Sequence, residues 1–487
     1  MAIAGSADET APYRARPDII RSANLPTRRG NRVRLQPRLD SPDAEAEWAR
    51  RLSDSDSIIA LDLFCGAGGM SLGLEHAEMF VAAGVDSDPE CCATHSANLL
   101  SKTVCRDVAE IADPRALIAE LGIPRVHVIA GGPPCQGFSL AGRAKIRSLP
   151  SDQRAEIHKR NFLYREFIRF VDGLKPTFFV LENVPHMGTF ADGIIADEIK
   201  QDFTKLGYSV YHTLMDAADY GVPQTRRRLF FVGSLIGWVY QLPGRTHGAR
   251  LPRRTLGDAI WDLPIVEAPS LEEEIEYRLA DRSYLEVSGE YADQMRLAMP
   301  PGRRDRLFDH IVRPVRDDDA KIFRAMDQGH RYHNVDPRYR RYELKRSSRD
   351  DHRYEFTDRY QRLKWDRPCS TITAHIAKDG YRYIHPDQIR TLSVREAARV
   401  QSFPDHFRFS GHRTNRFRQI GNAVPPLLAE AIGRSIVKAI RAYRAGEASE
   451  EWQPSLPGLI ENDRVERQPV LPGIGGASEY VPSRSGT

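Results

Sequence analysis

Short apolar runs and helix-like stretches alternate along the chain between residues 58 and 232. Five apolar runs predict buried strands, at residues 58–64, 79–85, 126–130, 177–181 and 229–232. The stretches between them predict helices, at residues 70–77, 89–100, 112–121, 162–173 and 194–206. This alternation is typical of an α/β fold, in which a doubly wound, mostly parallel sheet carries helices on both faces.

The alternation stops after residue 232. Residues 255–264 predict a short helix, and the acidic run at residues 272–276 is interpreted as a solvated helix face. A capping box that starts at Ser393 predicts a helix up to residue 402. A last helix is predicted over residues 427–444. Because its aliphatic residues recur every four positions, we expect it to pack back onto the first domain: Leu428, Ile432, Ile436 and Ile440.

Composition narrows the class of protein. The 487 residues are 41% hydrophobic, enough for more than one core, and no apolar run approaches the roughly 18 residues that span a bilayer. The first residues lack the basic and apolar segments of a secretion signal, so we expect a cytoplasmic protein without membrane contact. Six cysteines without a CxxC pair favour reduced thiols over a disulfide framework, and no metal site is expected.

Charge is informative through its distribution, because the net charge is only +4. Eight arginines and one acid between Arg14 and Arg38 predict a disordered basic arm, either a solvated tail or an auxiliary phosphate contact. From His330 to Trp365, eleven Lys and Arg residues outnumber six acids, and five tyrosines lie among them. This composition favours a duplex-facing surface over a merely basic one.

The first candidate site follows the first strand, as Phe64-Cys65-Gly66-Ala67-Gly68-Gly69. Glycines there allow close approach of a ligand, although they also occur as a plain structural turn. Asp86 ends the second strand and is placed to bind a ribose, which implies a nucleoside cofactor; the spacing disfavours a nicotinamide cofactor. Asp107, near the end of a short third strand, is placed to accept an adenine amino group or to cap the following helix.

The second and third candidate sites follow later strands. The segment Gly131-Gly132-Pro133-Pro134-Cys135 presents a thiol on a loop, and a free thiol needs help to act as a nucleophile. Glu182, at the end of the next strand, is either an exposed surface group or an acid in the same pocket. In the segment from Gln224 to Arg228, alternation places Arg226 and Arg228 on one face, either solvated or directed at a phosphate or carbonyl.

Together these blocks resemble those of the DNA (cytosine-5) methyltransferases. Two further blocks follow in the family's order, Arg367-Pro368 with Thr371 and the segment from Gln419 to Pro425. The resemblance spans roughly residues 57–442. It departs from the family pattern at Asp86, where Glu is frequent, and at Cys369, where Ser is usual.

The resemblance implies a Rossmann-like methyltransferase fold with S-adenosyl-L-methionine as methyl donor and a second, smaller target-recognition domain. It implies attack of Cys135 on cytosine C6, with Glu182 at N3 and the exocyclic amine and with Arg226 and Arg228 at the base carbonyl and nearby backbone. The cytosine must leave the duplex stack for this chemistry. The implied cofactor-binding residues are Phe64, Cys65, Gly66, Gly68, Gly69, Asp86, Ser87, Asp107, Val108, Asn422 and Ala423. The implied contacts to the target base or DNA are Pro134, Gln136, Ser139 and Gln224. The basic composition of residues 330–365 adds four expected DNA contacts, Arg338, Arg340, Arg341 and Arg346.

This interpretation divides the chain into five parts. They are a disordered basic arm (1–55), a catalytic domain (56–264), a target-recognition domain (265–415), a returning C-terminal helix (416–445) and a disordered tail (446–487). The expected partners are double-stranded DNA and a cognate restriction endonuclease or defence system. Two alternatives stay open: a tRNA methyltransferase, whose Cys-Phe-Thr element is not found here, and a binding module that has lost catalysis, although thiol and carboxylate are both present.

Overall fold

The computed structural model describes residue 33 and residues 35–134, 163–188, 194–236, 241–278, 289–297, 299–340, 360–378 and 380–446. Five residues predicted to act on the base or the DNA lie outside this part of the chain: Cys135, Gln136, Ser139, Arg341 and Arg346.

A seven-stranded sheet forms the centre of the molecule. Its strands are β1 (Ile59–Leu63), β2 (Phe80–Asp86), β3 (Lys102–Cys105), β4 (Val128–Gly131), β5 (Phe178–Asn183), β6 (Ser209–Asp216) and β8 (Arg227–Ser234), in the order β3-β2-β1-β4-β5-β8-β6. Only β8 runs antiparallel to its neighbours in this sheet. The predicted doubly wound, mostly parallel sheet is therefore confirmed.

Helices cover both faces of this sheet. The described helices are α1 (Pro42–Ser53), α2 (Gly69–His76), α3 (Pro89–Asn98), α4 (Pro114–Glu120), α5 (Leu163–Leu174), α6 (Ile194–Lys205), α7 (Leu256–Ile260), α8 (Glu290–Leu297), α9 (Asp317–Arg324), α10 (Val394–Val400), α11 (Arg413–Asn422) and α12 (Pro426–Arg444). Helices α1, α4, α5 and α6 share one core with Ile59, Leu61 and Leu63, and α2 and α12 share the opposite core with Ile58 and Ala60. The aliphatic row of α12 is buried against α2, as its spacing predicts.

The second region of the chain, residues 256–422, has its own hydrophobic core. Helices α7, α8, α10 and α11 contribute to it, and Ala67, Leu72 and Leu99 of the first region join it. Short strands complete the region: β9 (Glu274–Glu276) pairs with β10 (Arg306–Phe308), and β11 (Cys369–Ser370) pairs with β7 (Gln224–Thr225). The pairing of β7 with β11 attaches this region directly to the strand that precedes β8.

Three expectations about elements are wrong. Strand β6 is missing from the predicted set, because its side chains are mostly half-buried and the apolar run that marks the other strands is absent. The acidic run contains strand β9, not a helix face. The predicted disordered arm includes helix α1, whose Trp48 is buried and donates from Nε1 to the Ala82 carbonyl at 3.1 Å. Among the described helices, none is long and apolar enough to span a bilayer.

Candidate active site

A cavity of about 1240 Å³ opens at the carboxyl ends of β1, β2, β4 and β5. Ligands of open α/β sheets bind at this edge, because strand-to-helix loops meet there. Most of the predicted cofactor residues line the cavity: Phe64, Cys65, Gly66, Gly69, Asp86, Ser87, Asp107, Val108, Asn422 and Ala423. Gly68 is not among the lining residues; it adopts a left-handed conformation (φ 96°) as the N-cap of α2.

The glycine loop is fastened to Asp86. The Gly66 N–H donates to Asp86 Oδ2 at 2.9 Å, and the Asp88 N–H donates to Oδ1 at 2.8 Å. Burial raises the pKa of the Asp86 carboxyl, and these backbone donors partly oppose the rise. Each carboxylate oxygen retains a lone pair, so Asp86 can still accept hydrogen bonds from a ligand.

Asp107 caps the following turn, as one of its two predicted roles requires, and its contact with an adenine stays a prediction. Its side chain accepts from the Ala109 N–H at 2.9 Å, which caps a short 3₁₀ turn, and it also lines the cavity.

Asp62 is a cavity residue that sequence reasoning did not assign. It is buried, and the Ser71 hydroxyl donates to its Oδ2 at 2.5 Å. Its Oδ1 accepts no hydrogen bond within the described part of the chain. Burial raises the pKa of Asp62 to about 7. Its position on β1, two residues before Phe64, is the signal that could have identified it.

Glu182 and Arg228 form an ion pair across the cavity from the glycine loop. Arg228 Nε lies 2.9 Å from Glu182 Oε1, and each side chain is 13% exposed. Burial raises the pKa of Glu182, while Arg228 and Arg226 oppose the rise. A Cβ at Gly132 would lie 2.9 Å from Glu182 Oε2, so the absence of a side chain there lets the loop pass the carboxylate. Pro134, which directly precedes Cys135 in the sequence, lines the same cavity.

Gln224 does not reach a surface. It is fully buried, its Oε1 accepts from the Ile372 N–H at 2.7 Å, and its Nε2 donates to Gln401 Oε1 at 2.5 Å. The expected contact of Gln224 with DNA is therefore wrong. This correction could not come from the sequence, because Ile372 and Gln401 lie more than 140 residues away.

Arg226 lines the cavity, but most of its guanidinium is bonded to protein. Its Nε takes no part in these bonds and has no hydrogen-bond partner in the described part of the chain. It is 1% exposed and donates to three backbone carbonyls: Ile372 (2.6 Å), Gly421 (3.1 Å) and Ala423 (2.9 Å). Alternation thus places Arg226 and Arg228 on the predicted common face, but only Arg228 is paired with Glu182 in the structure.

Comparison with known proteins identifies the family. Residues 58–438 match the sequence profile described as C-5 cytosine-specific DNA methylase. The chain belongs to this family. It is therefore a DNA cytosine-5 methyltransferase.

Individual relatives of this methylase each cover about four fifths of the chain. The type II methyltransferase M.XorII of Xanthomonas oryzae pv. oryzae is 37% identical over 402 residues, which cover 79% of this chain and 85% of that protein. The type II methyltransferase M.AgeI of Thalassovita gelatinovora is 32% identical, over 78% of this chain and 99% of that protein. A crystal structure described as a prophage-encoded DNA modification methyltransferase of E. coli has a TM-score of 0.60 at 25% identity, covering 79% of this chain and all of that one.

Two predicted DNA-contacting arginines of the methylase lie outside the cavity lining. Arg338 has a side chain that is 80% exposed and is paired with Asp336 at 2.7 Å. Arg340 instead donates to the carbonyls of Val335 and His333 at 2.7 and 2.8 Å. The exposed Arg338 side chain can therefore exchange its partner for DNA, whereas the Arg340 guanidinium is already bonded to two backbone carbonyls.

Proposed function

We propose that this methylase transfers a methyl group from S-adenosyl-L-methionine to C5 of a cytosine that has left the stack of a specific duplex sequence. The observation that carries the proposal is the single cavity in which the glycine loop and Asp86 lie with the Glu182–Arg228 pair. A cofactor and a flipped base can meet in such a cavity without water between them.

The residues on the cofactor side fit S-adenosylmethionine. Asp86 is placed for the ribose hydroxyls and Asp107 for the adenine amino group. The buried Oδ1 of Asp62, without a hydrogen-bond partner in the described chain, suits the ammonium of the methionine part. When bound, the cofactor supplies a methyl group on a sulfonium.

The protein's own groups activate the base. The Cys135 thiolate adds to C6, and Glu182 donates a proton or a strong hydrogen bond to N3, so that C5 gains electron density. Burial favours the protonated form of Glu182, and Arg228 holds its carboxyl in place. After methyl transfer the C5 proton passes to water, and the electron pair of the C5–H bond forms the C5–C6 double bond. The thiolate leaves with the electrons of the S–C6 bond, and a proton given to N3 returns to the Glu182 carboxylate.

We assign target selection to residues 265–415, which lie within the second region. A flipped cytosine cannot identify its neighbours, so side chains outside the catalytic sheet must read base edges in a groove. Because the similar proteins are type II methyltransferases, a cognate restriction endonuclease is the proposed partner. Family membership favours DNA over the tRNA alternative, and we place the enzyme in the bacterial cytoplasm with the nucleoid.

Trapping on DNA that contains 5-fluorocytosine tests the mechanism. Fluorine cannot leave C5 as a proton does, so the wild type should remain covalently attached to the DNA in the presence of S-adenosylmethionine. Cys135→Ser should form no adduct, because a hydroxyl is far less ionised than a thiol at neutral pH. Cys369→Ser is the matched control and should be trapped like the wild type. An adduct that persists in Cys135→Ser, or methylation at a near wild-type rate, would overturn the assignment.

A further inference from the structure

Helix α11 ends at Asn422, where the segment that borders the cofactor side of the cavity begins. The last carbonyls of a helix have no partner within the helix and need donors from elsewhere. Two of the Arg226 donor bonds fall here, on the carbonyls of Gly421 and Ala423. A cation at this end also interacts favourably with the helix dipole.

Gln401 completes the same cap from the other side. Its Nε2 donates to the carbonyls of Ile420 (2.8 Å) and Ala423 (2.9 Å). The carbonyl of Ala423 therefore accepts from Arg226 and Gln401 together. Gln401 is fully buried, and its Oε1 accepts from Gln224 Nε2. The two side chains therefore form a buried, hydrogen-bonded pair.

Arg226 connects the base side of the cavity with the side proposed for the cofactor. Arg226 lies two residues before Arg228, which holds Glu182 on the base side. Arg226 holds the carbonyls of Gly421 and Ala423, and Gln401 also holds that of Ala423. Gly421 and Ala423 line the cavity on the side proposed for the cofactor. The approach is close, because a Cβ at Gly69 of the glycine loop would lie 2.3 Å from the Val424 carbonyl. A small shift of this segment would therefore change the shape of the cofactor pocket.

We infer that Arg226 and Gln401 are positioning residues that hold the segment from Asn422 to Val424 against the cofactor, and that Arg226 does not contact the target base. This inference rests on the proposed cofactor. It moves the role of Arg226 from the target base to the segment from Asn422 to Val424. It also gives a role to Gln401, which its position directly after α10 does not suggest.

Arg226→Lys tests the inference. A lysine keeps the charge, but its single ammonium cannot reach carbonyls from two segments at once. Calorimetry should show at least tenfold weaker binding of S-adenosylmethionine, and the KM for the cofactor should rise more than kcat falls. DNA binding at fixed salt should stay within twofold of the wild type. Gln401→Asn should weaken cofactor binding in the same direction, and the two changes together should be less than additive because they share the Ala423 carbonyl.

Arg362→Lys is the matched control. Arg362 is also buried and donates to three carbonyls, those of His385, Pro386 and Phe323, but it does not line the cavity. Its substitution should lower the melting temperature without changing cofactor affinity.

Three results would overturn the inference. The first is cofactor affinity within twofold of the wild type in both Arg226→Lys and Gln401→Asn. The second is a loss of fluorocytosine trapping in Arg226→Lys at saturating cofactor, which would return this arginine to the base. If Arg226→Lys does not fold, Gln401→Asn decides alone. The third, a wild type that binds no S-adenosylmethionine, would overturn the proposed cofactor as well and is recognised without any variant.

Discussion

At the scale of single residues, Asp62 is a buried carboxylate in the cavity proposed to bind the cofactor. A carboxylate with one oxygen bonded to Ser71 and the other without a partner in the described chain is costly to bury, and its raised pKa reflects that cost. A bound ammonium would supply the missing partner and favour the charged form. We therefore expect the affinity for the proposed cofactor to depend on pH.

We predict that S-adenosylmethionine binds roughly tenfold more weakly at pH 6 than at pH 7.5. The pKa of Asp62 is about 7 in the free protein, so below that value the carboxyl is mostly neutral and must lose a proton before it pairs with the ammonium. Titration calorimetry at several pH values measures this. Asp62→Asn should bind weakly with no such slope, whereas Asp86→Asn should bind weakly and keep it. A wild type with equal affinity at both pH values would contradict the role of Asp62.

At the scale of elements, helix α10 has several buried ion pairs, and one of them lies at its N-terminus. Glu396 completes the capping box with Ser393, and Arg390 donates to both of its carboxylate oxygens at 2.7 Å. Burial alone would raise the pKa of Glu396, but Arg390 and two neighbouring histidines lower it overall. Its folded pKa is thus depressed, so the stabilisation is present above the unfolded pKa near 4.3 and is lost as the pH falls through the lower folded value.

Glu396→Gln should lower the free energy of unfolding by about 3–5 kcal/mol, because it leaves the Arg390 cation buried without a counter-charge. Urea unfolding at pH 7 measures the loss. Glu47→Gln in α1 is the control: this glutamate forms an exposed pair with Arg50, so its loss should have no measurable effect. If the two variants are equally stable, the buried pair does not hold α10.

Elements that carry their signal locally are the ones that the sequence predicts. The capping box predicts helix α10. Continuous apolar residues predict β1 and β5, since both faces of these strands are covered. Strand β6 has no such run, because most of its side chains are only half-buried. Strand β9 is specified by pairing with β10, about thirty residues later, and an acidic run alone does not reveal a pairing partner.

At the scale of the whole molecule, the sequence predicts which residues gather at the cavity but not which of them face it. Parallel strands bring their carboxyl ends to one edge, so Asp86, Asp107 and Glu182 could be expected together. Gln224 and Arg226 are buried because the second region, far along the chain, supplies carbonyls and amides to them. Contacts between distant segments leave no periodic pattern in the sequence, so this part of the site required the structure.

The same architecture predicts that DNA affinity and cofactor affinity can be changed separately. Arg338 lies outside the cavity lining, and its exposed pair with Asp336 costs little to exchange for a phosphate or a guanine edge. Arg338→Gln should therefore weaken DNA binding while the affinity for S-adenosylmethionine stays unchanged. A phosphate contact would lower the slope of log affinity against log salt by about one for all sequences, and a base contact would relax preference at one position of the target.

Arg340→Gln is the control, because the Arg340 guanidinium already donates to two backbone carbonyls and its loss should change melting temperature more than DNA binding. If Arg338→Gln alters neither target preference nor the salt slope, this surface does not meet the duplex, and the expected role of Arg338 is wrong.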